Sequence, residues 1–296
     1  MAGWSSLPPD LVRRVGDRLL ASGDLDYHRD MRGVCLDWRS ATADPRARSA
    51  GSDSSFLPWQ WVILDWKPKE DDDDNDHGDR LFLNVLTGRF LRRRLPLLRV
   101  HDLVSFLSGF LVIRDGKNKD VFHYLDPVAG YAFHPAAKSE PPQVRAAMAD
   151  SPEDHDENEF HVESAGGEGL LIRRQHGAVQ VFKKGTDGKP IGEPMKSIGC
   201  RAIFLGAERC LAVNADKLPT VDGNCVYYIG SLLDGDRHQY RDDAYPFEEG
   251  VDMYRYDLSN GREEVISSPV ADYFDRLYVR RPFSLAQLLL AYCAWS

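Results

Sequence analysis

From residue 56 onward the apolar residues come in short runs broken every few positions by turn formers. That rhythm limits what the chain can fold into more than any single motif does. Runs stand at 59–66, 80–85, 111–114, 121–125, 169–173, 178–182, 202–205, 210–213, 225–229, 253–256 and 273–279. Turn signals lie between them: Leu-Thr-Gly at 86–88, Asp-Gly-Lys-Asn at 115–118, Asp-Pro-Val-Ala-Gly at 126–130, Gly-Thr-Asp-Gly at 185–188, Asp-Gly-Asn at 222–224 and Leu-Ser-Asn-Gly at 258–261. Runs of four to eight residues closed by Gly, Asp and Asn are strands, and many of them in series make a mainly-β domain.

The turns also repeat. Asn84-Val-Leu-Thr-Gly88, Asp126-Pro-Val-Ala-Gly130 and Asp257-Leu-Ser-Asn-Gly261 each follow an apolar run and each span five positions. The first two are about 40 residues apart and the third lies about three such intervals on, the period of a four-stranded propeller blade. The residues after 56 would hold about five or six blades on that count. A pair of β-sandwiches would reuse similar turns, but the repeat favours a β-propeller.

The first 45 residues follow a different rule. Leu11, Val12, Val15, Leu19 and Leu20 fall on one helical stripe. Pro8 and Pro9 suit a helix start, with Ser6 a nearby cap; Ser22-Gly23 suits its end, and Asp24 can cap a second helix. A second stripe runs through Leu25, Met31, Val34, Cys35 and Trp38, with Gly33 marking a break between short helices. So small a helical unit buries too little to stand comfortably alone, so it is either a docking module with a partner or a cap packed on the domain that follows. Residues 46–55 are small and polar and read as a linker. The expected organisation is therefore 1–45 helical, 46–55 linker and 56–296 β-propeller-like.

The order Leu7-Pro8, Leu11, Val15, Leu19, Asp24-Leu25, then Arg32, Val34-Cys35 and Trp38-Arg39 resembles the F-box, over residues 4–45. His28, Arg29 and Asp37 depart from that family's usual residues. The resemblance implies docking on a Skp-type adaptor, and through it on a cullin. Leu7, Pro8, Leu11, Val15 and Leu25 are the implied adaptor contacts, and Leu19, Val34, Cys35 and Trp38 the module's core. A second resemblance covers 56–296: Phe56-Leu-Pro-Trp59, residues 202–206, 210–213, 218–219, 223–228 and 252–256, and Arg281-Pro-Phe-Ser-Leu285 look like a plant family that joins an F-box to a kelch-like propeller domain of unknown function.

Composition narrows the function further. The net charge is −9, and the first fifty residues carry eight Arg against seven Asp, so the acid excess lies downstream, in runs at 70–79 and 150–159 that read as solvated loops. Such a chain offers no broad basic surface for nucleic acid. The five cysteines are odd in number and contain no C-x-x-C, which fits reduced thiols in cytoplasm or nucleus. The longest apolar stretches, 103–113 and 285–294, are too short to span a bilayer.

No catalytic motif stands out. His161-Val-Glu163 lacks the following cysteine pair of a zinc deaminase. Gly166-Gly167-Glu168-Gly169 is too short for a dinucleotide fingerprint. The acidic run near Gly78 fails as a calcium loop because Asn84 stands where a Glu is required. The sequence thus predicts no cofactor and no resident metal. The F-box resemblance implies a non-catalytic substrate receptor of an SCF-type cullin–RING ubiquitin ligase, with the propeller binding a target protein; loops at 70–79, 150–159 and 234–249 are candidate contacts. The alternative is a non-ligase propeller scaffold or hydrolase whose helices only cap the fold.

Overall fold

The computed structural model describes residues 7–44, 58–64, 78–107, 109–128, 130–133, 159–163, 169–175, 178–206, 209–230, 252–267 and 284–294. Ser6, the linker at 46–55, the run at 273–279, the loop at 234–249 and nearly all of both acidic runs lie outside the described residues. The chain divides into two compact units, Met1–Ser151 and Pro152–Ser296.

The first unit opens with three helices, α1 (Pro9–Ala21), α2 (Leu25–Val34) and α3 (Leu36–Ala41). Pro8 and Pro9 start α1 as expected, because the N–H that Pro lacks has no partner in a first turn anyway. Gly23, at φ 72°, ends it: its N–H reaches the Leu20 carbonyl and the Asp24 N–H reaches Leu19, both at 2.9 Å. The break between α2 and α3 falls on Cys35, whose backbone is extended, two residues beyond the predicted Gly33. Asp24 precedes α2 but makes no side-chain cap.

Two sheets complete this unit. One has the order β1-β2-β3 (Trp61–Ile63, Asp79–Asn84, Phe90–Arg94) and the other β4-β5-β6-β7 (His101–Leu107, Phe110–Asp115, Phe122–Leu125, Ala132–Phe133). All pairs are antiparallel. Trp61, Phe82, Leu83, Leu111, Ile113 and Leu125 are among the fully buried side chains.

The second unit holds two more sheets. One is β8-β9-β10-β11 (Glu159–Glu163, Gly169–Gln175, Ala178–Lys184, Pro190–Ile191), again antiparallel. The other has the order β13-β12-β14-β15-β16 (β12 Arg201–Leu205, β13 Cys210–Asn214, β14 Cys225–Ile229, β15 Met253–Asp257, β16 Arg262–Ser267). Here β12 pairs antiparallel with β13 and parallel with β14. The connection into β14 turns on Asn224, a non-glycine residue at φ 58° that donates its N–H to the Arg201 carbonyl and accepts from the Ile198 N–H. Phe160, Leu170, Ile172, Val181, Ile203 and Val226 form the core these sheets share.

Every residue of β14 is buried. Part of its cover is α4 (Leu285–Ala294), which packs on β12 and β14 with Leu289, Leu290 and Cys293 fully buried. Arg209 joins its end to the sheet, donating its N–H to the Cys293 carbonyl at 3.2 Å.

The repeated turn of the sequence is a repeated structure. At Asn84, Asp126 and Asp257 the side-chain oxygen accepts the N–H two residues on, at 3.0, 2.9 and 2.8 Å. The backbone carbonyl of the same residue accepts the N–H of Gly88, Gly130 or Gly261 at 2.8, 2.7 and 2.9 Å. Each glycine sits at φ 66–73°, where a side chain would be strained. The three turns close β2–β3, β6–β7 and β15–β16, the last hairpin of three sheets. The remaining sheet closes β10–β11 differently, through Gly185 and Gly188.

The described residues hold four blade-type sheets where the spacing predicts five or six. One cause is visible in the last sheet, which takes residues 201–267, well over one period, because β13 is inserted beside β12 and residues 231–251 separate β14 from β15. Phe204 stacks on Tyr227 with ring centroids 4.7 Å apart, and both are buried. Phe204→Ala should therefore lower stability by about 3–5 kcal/mol in denaturant unfolding followed by far-UV circular dichroism.

Candidate functional site

The helical module has two apolar surfaces. On α1, Val12, Gly16 and Leu20 recur every fourth residue and are buried. A Cβ on Gly16 would lie 2.9 Å from the Thr42 side chain, so the helices approach closely there. The neighbouring row, Leu11 and Val15, lies one turn apart and points outward, 43% and 51% exposed. Val34 and Leu36, either side of the α2–α3 break, are 56% and 76% exposed.

The residues implied as adaptor contacts thus divide. Pro8, Leu11 and Val15 are exposed and Leu7 is half-buried. Leu25, at the start of α2, is 1% exposed and packs internally in this structure, unlike the outward Leu11 and Val15. The implied core divides as well. Leu19, Cys35 and Trp38 are half-buried, but Val34 ends α2 with its side chain outward and is surface. Arg32, read in sequence as part of the tail pattern, donates to the carbonyls of Arg39, Thr42 and Ala43 at 3.0, 2.6 and 2.8 Å, closing the end of α3.

The module is fastened to the two sheets of its unit by polar contacts. Arg89 follows the first repeated turn and donates to both carboxylate oxygens of Asp26, one at 2.6 Å, and to Asp24 at 3.1 Å. Its guanidinium lies over the rings of Tyr27 and Trp61, at 4.2 and 5.0 Å from their centroids. Burial works against its charge, but the hydrogen bond it donates to Asp26 and the charges of Asp26 and Asp24 outweigh it and hold its pKa above the usual arginine value. Asn84 donates its side-chain N–H to the Gly23 carbonyl at 3.1 Å. Arg29 pairs with Asp126, the head of the second repeated turn, at 2.8 Å. His28 is buried, and burial, followed by the charges of Arg32 and Arg29, lowers its pKa. One of the three departures from the F-box pattern, Arg29, is therefore a residue that seats the module, while His28 is buried within it beside Gly16 of α1.

This arrangement presents apolar side chains on a helical unit whose orientation toward its own sheets is fixed. Such a surface suits a helix-packing partner. Among the described residues, one set brings metal-ligating atoms together: His101, Asp115 and His123, within 4.8 Å of one another.

Comparison with known proteins adds three findings. The family profile described as KIB1-4 beta-propeller matches residues 99–257. A curated protein of Arabidopsis thaliana that is named for an F-box is 29% identical over 130 residues, 44% of this chain and 31% of that protein, so the chain spans about a third of its relative's length. No solved structure matches.

The seat generates two expectations. Arg89→Met leaves Asp26 nearly buried without its cation and should cost about 2–3 kcal/mol, at or just below the ~3–5 kcal/mol of fully buried pairs because Arg89 is partly exposed. Adding Asp26→Asn should recover much of that loss in the same unfolding measurement. A His whose folded pKa is depressed favours folding above its unfolded value and stops doing so as pH falls through and below about 6.5. Melting followed from about pH 7.5 to 5 should fall more steeply for wild type than for His28→Leu.

Proposed function

The chain belongs to the KIB1-4 β-propeller family, and we propose from that premise that it is a non-catalytic substrate receptor of an SCF-type ubiquitin ligase. The helical module docks a Skp-type adaptor and, through it, a cullin. The propeller, of kelch-like type, binds a target protein in cytoplasm or nucleus. The observation that carries the reading is the outward Leu11–Val15 row: packing within the module uses Val12, Gly16 and Leu20 and has no need of it. The F-box name of the Arabidopsis relative supports the same reading.

A receptor needs no reacting group of its own. It raises the effective concentration of a target beside the ligase, and that gain depends on how stiffly the two binding surfaces are joined. The Arg89 and Arg29 pairs supply stiffness between the module and the sheets of its own unit. The same pairs would also serve a non-ligase scaffold or hydrolase in which the helices only cap the sheets, so adaptor binding is the property that separates the readings.

Co-expression of the full chain with a Skp-type adaptor should yield a complex. Leu11→Asp with Val15→Asp should abolish it while moving the melting temperature little, because exposed positions rarely change stability by more than about 0.5 kcal/mol. If wild type does not bind where another F-box protein does, the receptor reading is wrong and the capping reading stands.

A further inference from the structure

The β4–β5–β6 sheet carries a histidine–carboxylate cluster that the receptor reading does not use. His101 opens β4 and Asp115 ends β5, and the two are register partners. His123 in β6 lies opposite Ile113, two residues before Asp115. Side chains alternate along a strand and direct partners share a face, so His101, Ile113, Asp115 and His123 all stand on one side of the sheet. Ile113 is fully buried and forms the floor; the three polar groups stand half-buried at its rim.

Two of the three are oriented. The Nδ1 of His101 lies 3.1 Å from the Leu97 carbonyl, which can only accept. Nδ1 therefore carries the proton, and in the neutral ring Nε2 holds the lone pair. That Nε2 faces Asp115 Oδ2 at 3.9 Å, and the His101 and His123 rings meet edge to face with centroids 5.5 Å apart. The N–H groups of Lys117 and Asn118 donate to Asp115 Oδ1 at 2.7 and 3.0 Å, which turns Oδ2 toward the histidines. With Nδ1 committed to the Leu97 carbonyl, Nε2 is the ring atom turned toward Asp115 Oδ2.

We propose that His101 Nε2, Asp115 Oδ2 and a ring nitrogen of His123 bind a divalent transition metal, with Zn²⁺ the best fit. Two imidazoles and one carboxylate are a borderline donor set; calcium and magnesium would want oxygens alone. A donated Nδ1–H to a backbone carbonyl is also the outer contact that metal-bound histidines usually make. Bonds of about 2.0–2.1 Å in a tetrahedral site place ligand atoms about 3.3 Å apart. The cluster, within 4.8 Å, closes to that by side-chain rotation at a half-buried rim. Three protein ligands leave a fourth position for water or for a donor from a bound protein, and the ion ties three successive strands and the turn after Asp115 together.

The test uses the full chain, stripped with a chelator and titrated with Co²⁺ as a visible probe, then with Zn²⁺. The site predicts one equivalent of Co²⁺ with d–d bands, no sulfur-to-cobalt charge transfer, and displacement by Zn²⁺. Asp115→Asn keeps the oxygen that accepts from Lys117 and Asn118 but loses the charge, and should weaken binding at least tenfold; His123→Ala should do the same. Circular dichroism of the metal-free variants checks their folding, and if His123→Ala unfolds, Asp115→Asn decides. Three results overturn the site: wild-type affinity weaker than about 1 mM, binding unchanged in His101→Ala with His123→Ala, or a charge-transfer band that places the ion on cysteine.

Discussion

Arg89 stands where the helices of the first unit meet its first sheet, and its charge is what lets them meet. The helical module brings Asp24 and Asp26 to the β2–β3 turn, and Asp26 is 5% exposed. A carboxylate at that depth, with a second half-buried beside it, is tolerable only against a fixed cation that satisfies its oxygens. Arg89 meets the demand because it follows Gly88 directly. The turn from Asn84 to Gly88 is held by its own hydrogen bonds, which fix where the following Arg89 leaves the backbone.

The repeated turn therefore does two things in the first unit. It closes a hairpin, and its outer atoms receive the module: Asn84 through its side-chain N–H, Asp126 through the carboxylate oxygen left by the Val128 N–H. In the third copy the corresponding oxygen of Asp257 accepts from Asn260 instead, a contact within the turn itself. One local motif, repeated for the sake of the blades, has been used as a socket in two places. Arg29, out of pattern for an F-box, completes the second of these sockets from the helical side.

How much of this was legible follows from what each residue's neighbours are. The module's helices, the turn glycines and the strongly apolar strands β10, β12 and β14 could be read, because local spacing alone specifies them. Strands β3 and β16 could not: Phe90–Arg94 and Arg262–Ser267 are charged, as edges of sheets tend to be, and show no apolar run. The stretch at 285–294 was noticed only as too short for a bilayer and is the buried helix α4. Within the module, the stripe was legible but its division into an inner row and an outer row was not, since Leu11 and Val12, or Leu25 and Val34, differ only in what packs over them. The His101–Asp115–His123 cluster was invisible for the same kind of reason. Its members come from three strands, and only the cross-strand register brings them to one face.

The cover that α4 gives to β12 and β14 has a consequence for synthesis. Those strands are complete at Ile229, but α4 begins only at Leu285. At ribosomal rates of 5–20 residues per second, the intervening chain takes roughly 3–11 s to make. During that time β12 and β14 lack the cover that this helix gives them. A nascent chain in that state is a natural client for chaperones, and the risk of misassociation in this protein is concentrated in those few seconds rather than spread evenly along its translation.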